Sequence, residues 1–365
     1  MIDRRTMLAL PLAAAACSRP EPRYYAFVAN QEGQAIAAVE LGIVMAVVRH
    51  IPLDAAPAQV VAANYRPSVY ALTPESGSVH EIQSDNLRFA RKVTVASQAV
   101  SMQATADDKF LYVLARDPRL VVAVALDQFR AQWKLPLPEE PVTLALAPDG
   151  KTAAVTSSAS VRLIDLTSRT LSQPLGLGEF GSIAFLDDSK TLIAADLKER
   201  RLSLYDVASR RLITHLPVSV RPDRFCFNHD GGQLFVTGEG MDAVVVVWPF
   251  YTPRVGGTVL AGHAPGAMGT SDSLLFVASP QSGNVSVLNI DTRKLIAVVQ
   301  VGADPGFVVV TPDDQYALIL NRQSGDLAVL NVPKIQQKAN RYSPAGLTTV
   351  IPVGSRPVSA VVRSI

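Results

Sequence analysis

Residues 306–331 read GFVVVTPDDQYALILNRQSGDLAVLN. Three short apolar runs, Gly306–Val310, Tyr316–Asn321 and Asp326–Asn331, are separated by Thr311-Pro312-Asp313-Asp314 and by Ser324-Gly325. Apolar alternation over so few residues, bounded by turn formers, specifies β-strands. Pro presets φ at the first turn position, Asp bonds its own backbone and Gly accepts positive φ, so the strands fold back on one another. A fourth run, Leu347–Val353, completes a unit of strands a, b, c and d after an insertion, Pro333–Gly346. The b run recurs as Phe27-Val28-Ala29-Asn30, Tyr70-Ala71-Leu72-Thr73, Tyr112-Val113-Leu114-Ala115, Ala154-Val155-Thr156-Ser157, Ile193-Ala194-Ala195-Asp196, Phe235-Val236-Thr237-Gly238, Phe276-Val277-Ala278-Ser279 and Leu318-Ile319-Leu320-Asn321, at intervals of 39 to 43 residues. Four strands every 40 to 45 residues is the period of a β-propeller blade.

The ends of the chain fit this frame. The repeat region begins directly on a b strand, Arg23–Asn30, and finishes on an unpartnered a strand around Arg356–Val362. Joined, they complete one blade and leave no free sheet edge. The expectation is an all-β chain of eight four-stranded blades over 23–365, closed by the C-terminal strand in the N-terminal blade. The alternative is seven, should the weak repeat over 57–97 be irregular. The a–b turn recurs as Ala147-Pro148-Asp149-Gly150, Leu186-Asp187-Asp188-Ser189 and Asn228-His229-Asp230-Gly231, so its aspartates are assigned to turns rather than to a ring of metal ligands. Strand c ends on Asp165, Asp206 or Asn289, and basic residues open strand d, as suits an exposed edge. Leu175-Gly176-Leu177-Gly178 reads as a plain turn after the d strand Leu171–Pro174.

The composition is that of a packed globular chain. Of 365 residues 48% are hydrophobic and 18% charged, which excludes a disordered chain. A net charge of +2, from 34 basic and 32 acidic groups, excludes bulk capture of nucleic acid. Residues 1–17, MIDRRTMLALPLAAAAC, place Arg4 and Arg5 before a ten-residue apolar run, the pattern of an export signal too short to span a bilayer. Arg4-Arg5-Thr6-Met7-Leu8 resembles the twin-arginine export pattern, and an ordinary basic region is the alternative. Ala14-Ala15-Ala16-Cys17 resembles a bacterial lipoprotein cleavage box, with Ala where Leu is usual three residues before the cysteine. That resemblance implies a signal over 1–16, lipidation at Cys17 and a tether over 17–22; cleavage that leaves a free thiol is the alternative. The chain is then expected to be exported, periplasmic or at the cell surface, and anchored to a membrane. Only Cys226 remains, in Phe225-Cys226-Phe227, where it reads as a small buried hydrophobe.

The run Asn284–Ile296, NVSVLNIDTRKLI, and the strand Phe27–Asn30 resemble the YVTN-type β-propeller repeat family, which includes surface-layer, lactonase-like and haem d1-binding propellers. The resemblance covers residues 23–365 and implies the fold; one propeller fold hosts many activities. A haem reading needs a histidine facing the channel. His50, His80 and His215 fall in or beside outer strands and His229 in an a–b turn, which leaves His263 in the d–a loop Ala261-Gly262-His263-Ala264-Pro265. There is no C-x-x-C-H, H-E-x-x-H, G-x-S-x-G or phosphate-cradling glycine loop, so no cofactor, metal or catalytic residue is assigned and the reading leans against an enzyme.

The d–a and b–c loops share one face of a propeller, at the mouth of the channel. Arg221, His263, Asp304 and Arg356 precede or begin innermost strands there, and Arg322 follows a b strand. These five are the candidate ligand-binding residues, since converging guanidinium groups hold a carboxylate or phosphate by paired hydrogen bonds. The competing reading is a solvated rim of local ion pairs. The insertion Pro333–Gly346, with Lys334, Lys338, Arg341 and Tyr342, leaves from the opposite face and suits an anionic partner or lipid headgroups. The expected function is a monomeric binding scaffold in the cell envelope, its partner a protein or a small anionic ligand; a haem-like or hydrolytic propeller with its site at the channel mouth is the alternative.

Overall fold

The b and c strands are buried on both faces. In Ser68-Val69-Tyr70-Ala71-Leu72-Thr73 and Leu120-Val121-Val122-Ala123-Val124-Ala125 every residue is buried. Alternate side chains serve different neighbours: Ala26 and Val28 pack with Leu318 and Leu320 of one blade, while Phe27 and Ala29 pack with Val60 and Val69 of the next. The core is therefore a set of slabs between adjacent blades, and the middle strands read as continuous Val, Ala and Leu runs.

The computed structural model describes residues 23–337 and 346–365 and forms an eight-bladed β-propeller. Blade 1 comprises Pro357–Ser364, Tyr24–Asn30, Ala35–Leu41 and Ala46–Pro52 as strands a to d. Blade 2 is Gln59–Ala62, Ser68–Thr73, Ser78–Gln83 and Arg88–Thr94, and blade 3 is Gln98–Ala104, Phe110–Asp117, Leu120–Ala125 and Arg130–Pro136. Blade 4 has Pro141–Leu146, Thr152–Ser157, Ser160–Asp165 and Thr170–Leu171; blade 5 has Phe180–Phe185, Thr191–Asp196, Arg201–Asp206 and Arg211–Pro217. Blade 6 is Arg224–Phe227, Leu234–Thr237, Ala243–Trp248 and Arg254–Leu260, and blade 7 is Met268–Thr270, Leu274–Ser279, Asn284–Asn289 and Leu295–Gln300. Blade 8 is Pro305–Val310, Tyr316–Asn321, Asp326–Asn331 and Leu347–Pro352. The a strands of successive blades touch all the way round the ring.

Closure follows the expected clasp: Pro357–Ser364 pairs antiparallel with Tyr24–Asn30, and Ile365 N donates to the Arg23 carbonyl at 2.8 Å. The seven-blade alternative falls, because residues 59–94 form a regular blade whose one novelty is a 3-10 turn, Pro74–Ser76, ending on Gly77 at φ +53°. A β-carbon on Gly77 would stand 2.1 Å from the Ala96 carbonyl oxygen. The turn aspartates are used locally, as expected: Asp149, Asp188, Asp230 and Asp313 accept from the backbone N–H two residues on.

Two readings change. Gly176–Leu177 is not a turn; it pairs with Ser160–Val161 and is the second half of blade 4's broken outer strand. Gly176 is required there because a β-carbon would lie 2.2 Å from the Tyr205 hydroxyl. The insertion after Asn331 opens as a short helix, α1 (Val332–Gln337), with Val332 and Ile335 buried. The rest of that insertion's basic set, Lys338 and Arg341, and Tyr342 lie outside the described residues, as do the signal, Cys17 and the tether. Among the described residues no helix is long and apolar enough to cross a membrane.

Candidate functional site at the channel mouth

The d–a turns have a common construction. Ala264, Asp304 and Arg356 each precede a proline and each adopt φ of +50 to +59°. This left-handed conformation is costly for a residue with a β-carbon, and it is held by hydrogen bonds from the b–c loops. Arg322 N donates to the Asp304 carbonyl at 2.9 Å, and Gln31 N to that of Arg356 at 2.9 Å. Below them Asn321 Nδ2 donates to the Val301 carbonyl and Asn30 Nδ2 to that of Val353, tying strand b to the preceding d–a loop. Backbone and side-chain origins at the mouth are thereby fixed.

Two recesses result. The first, of about 620 Å³, lies between blades 8 and 1 and is lined by Glu32, Asp304, Arg322, Gln323, Ser324, Gly325, Gly354, Ser355 and Arg356. Arg322 Nη2 donates to Asp304, while its Nε is buried without a partner. Arg356 Nη1 reaches Glu32 at 3.4 Å, and both side chains are more than half exposed. Such a solvated pair is worth about 0–1 kcal/mol and opens easily.

The second recess, of about 670 Å³, lies between blades 6 and 7 and is lined by Asp223, Arg224, residues 237–242 and residues 263–266. His263 Nδ1 lies 3.0 Å from Asp242 Oδ2, and Ala264 N donates to Asp242 Oδ1. The hydrogen bond to Asp242 raises the His263 pKa above the ordinary histidine value, and the same contacts hold the Asp242 carboxyl below its usual range. Arg221 stands beside this recess, bridging Glu179 at 3.5 Å and Asp223 at 3.2 Å.

Of the five candidates, Asp304, Arg322 and Arg356 come together, His263 lines a separate recess, and Arg221 borders that one. Every arginine among them is matched to a carboxylate, usually from another loop. Two of those partners, Glu32 and Glu179, escaped the sequence reading; extending the b–c and d–a register to blades 1 and 5 would have found them. His80, expected in or beside an outer strand, is on strand c of blade 2, next to the outermost strand, and buried, with Nε2 3.1 Å from Thr73 Oγ1 and 3.4 Å from Asp54. His50 and His215 are on d strands.

A haem requires an oriented imidazole and an environment suited to its propionate groups. His263 has an oriented imidazole, because Nδ1 pairs with Asp242, and Gln281 is a second side-chain hydrogen-bond partner of the ring. Asp223, Glu239 and Asp242 line the same recess, and Arg224, with Arg221 at its border, is the cation available there to an acidic group such as a propionate. Cys226 is half-buried rather than enclosed, and desolvation pushes its thiol up to about 12, which disfavours the reactive thiolate. Among the described residues no group of three or more His, Cys, Asp or Glu side chains is placed to hold a metal ion.

No protein-family model matches the chain, and no curated protein matches it in sequence. Solved structures resemble it in fold. A dihydro-haem d1 dehydrogenase, NirN, solved in complex with DHE, superposes with a TM-score of 0.75 at 13% identity, over 96% of this chain and 77% of that one. Apo AztD from Citrobacter koseri gives 0.71 at 12% identity, over 94% and 98%. Hydrazine synthase of Kuenenia stuttgartiensis gives 0.60 at 18% identity, over 75% and 95%. At these identities the likeness is one of architecture, and the chain is an eight-bladed β-propeller whose function has to be argued from its own site.

Proposed function

We propose that this chain is an exported, lipid-anchored binding propeller of the cell envelope, whose ligand carries a carboxylate or phosphate group, on a small molecule or on a partner protein. The observation that supports this reading is the recess between blades 8 and 1. Arg322 and Arg356 line one cavity on a rigid backbone, each uses one guanidinium nitrogen on a carboxylate, and the Arg356–Glu32 pair is loose. An incoming anion exchanges that solvated pair for a bidentate contact at small cost. Export and anchoring are supported by residues 1–17, with Cys17 as the acylated residue.

Thermal unfolding of the mature chain in a panel of phosphate, citrate and succinate tests the site. A ligand at one hundred times its Kd stabilises the folded state by about 2.7 kcal/mol. The expected outcome is a rise in Tm for at least one anion that is absent in Arg322→Ala and reduced in Arg356→Ala. An equal rise in all three proteins would place the anion elsewhere. A titration with haem that leaves the Soret band unshifted would remove the cofactor alternative.

A further inference from the structure

We propose that the face opposite the recesses, at blades 8 and 1, lies against the phospholipid membrane, with Ile43 and Val44 inserted among the headgroups. This rests on the lipid-anchored reading and adds an orientation to it. Strand b of blade 1 begins on this face at Tyr24, so the chain from Cys17 arrives there through Arg23. Six residue steps span at most about 20 Å, and Ser18-Arg19-Pro20-Glu21-Pro22 contains two prolines and no glycine. An acyl group on Cys17 therefore holds blade 1 close to the bilayer by this side.

The c–d turn of blade 1 presents aliphatic side chains where those of blades 4, 5 and 7 present polar ones, and only the c–d turn of blade 6, with Tyr251, exposes a comparable group among the described residues. Blades 4, 5 and 7 turn through Leu166-Thr167-Ser168-Arg169, Val207-Ala208-Ser209-Arg210 and Ile290-Asp291-Thr292-Arg293, with polar tips. Blade 1 turns through Gly42-Ile43-Val44-Met45, where Ile43 is fully exposed and Val44 three-quarters exposed. These side chains overhang a groove of about 850 Å³ that Arg23, Tyr24, Glu40, Asp313 and Tyr316 also line. Tyr65, on the neighbouring a–b loop of blade 2, is likewise exposed on this face. Two large aliphatic groups at a solvent-facing tip, with exposed Tyr65 on the same face, match the layer where lipid headgroups meet acyl chains. Since turn aspartates such as Asp313 share the face, the contact depends on apolar insertion rather than on anionic lipid, and it leaves both recesses open on the far side.

The test uses the acylated full chain in vesicles of phosphatidylethanolamine and phosphatidylglycerol. An environment-sensitive fluorophore is placed on Ile43→Cys or, as the control on the channel-mouth face, on Glu199→Cys, both in a Cys226→Ala background so that the half-buried native thiol takes no label. The expected result is a blue shift at position 43, with quenching by spin-labelled lipid that persists in high salt, and neither effect at position 199. If Cys17 carries the acyl mass and the chain sediments with vesicles while both labels emit as in solution, the orientation is wrong and the anchor stands. If Cys17 carries no acyl mass and the chain stays in the supernatant, both fall.

Discussion

His80 illustrates what a single side chain does when the fold encloses it. Its imidazole is 2% exposed, and its neighbours are Thr73, Asp54, Lys92 and the Phe89 ring. Burial lowers its pKa below the ordinary value of 6.5; Asp54 opposes this and Lys92 reinforces it. A histidine whose folded pKa is depressed adds stability that is complete above the unfolded value and is lost as pH falls through the window beneath it. His215, also lowered chiefly by burial, acts in the same direction. Calorimetric Tm should therefore fall as pH drops below the ordinary histidine value of 6.5, and fall less in His80→Gln. An unchanged pH dependence in that variant would show that His80 is not responsible. At this scale the sequence was legible where a residue acts on its own turn, as Asp149 and Asp313 do. It was silent where the partner comes from another loop: Arg356 meets Glu32 across 324 positions and His263 meets Asp242 across 21.

Between elements, the blades are joined by side chains that reach from one a–b turn to the next. Asp108, on the a–b turn of blade 3, is 2% exposed and accepts from the backbone N–H of Asn64 at 2.8 Å, Tyr65 at 2.6 Å and Arg66 at 3.1 Å in blade 2. Asp149 N to Ser189 Oγ and Asp272 N to Asp314 Oδ2 are similar stitches elsewhere in the ring. Hydrogen bonds to a charged acceptor contribute about 1.5–3 kcal/mol, and stranded buried donors add a desolvation cost. Asp108→Ala should lower the unfolding free energy by about 3 kcal/mol in a urea titration, with Asp108→Asn losing about half as much because it keeps one acceptor and tolerates the left-handed φ of +54°. Equal stability of Asp108→Ala and wild type would mean the loop of blade 2 is held by other contacts. The strands themselves were legible because their apolar runs and turn residues recur. The outer strand of blade 4 and helix α1 were not: the first is interrupted at residues 172–175, and the second, at six residues, is shorter than two helical turns.

For the whole molecule, the length of the chain is a blade count. Residues 23–365 make eight blades, and the closing pair is visible in the sequence only as two incomplete repeats at opposite ends. What it contributes can be measured by moving the ends. Residues 23 and 365 are joined by a backbone hydrogen bond, so a short glycine linker between them, with new termini opened within 338–345, keeps every strand pair of the ring and changes only the connectivity. This permutant should fold with near-native circular dichroism and a Tm within a few degrees of the parent. Deleting 357–365 removes the a strand of blade 1, exposes the inner edge of Tyr24–Asn30 and uncovers apolar surface on blades 2 and 8 around the buried Ala360. That truncation should yield aggregated protein. A truncated chain that stays monomeric with a native Tm would show that the ring holds without its clasp, and that seven complete blades and one three-stranded blade suffice to bury the core.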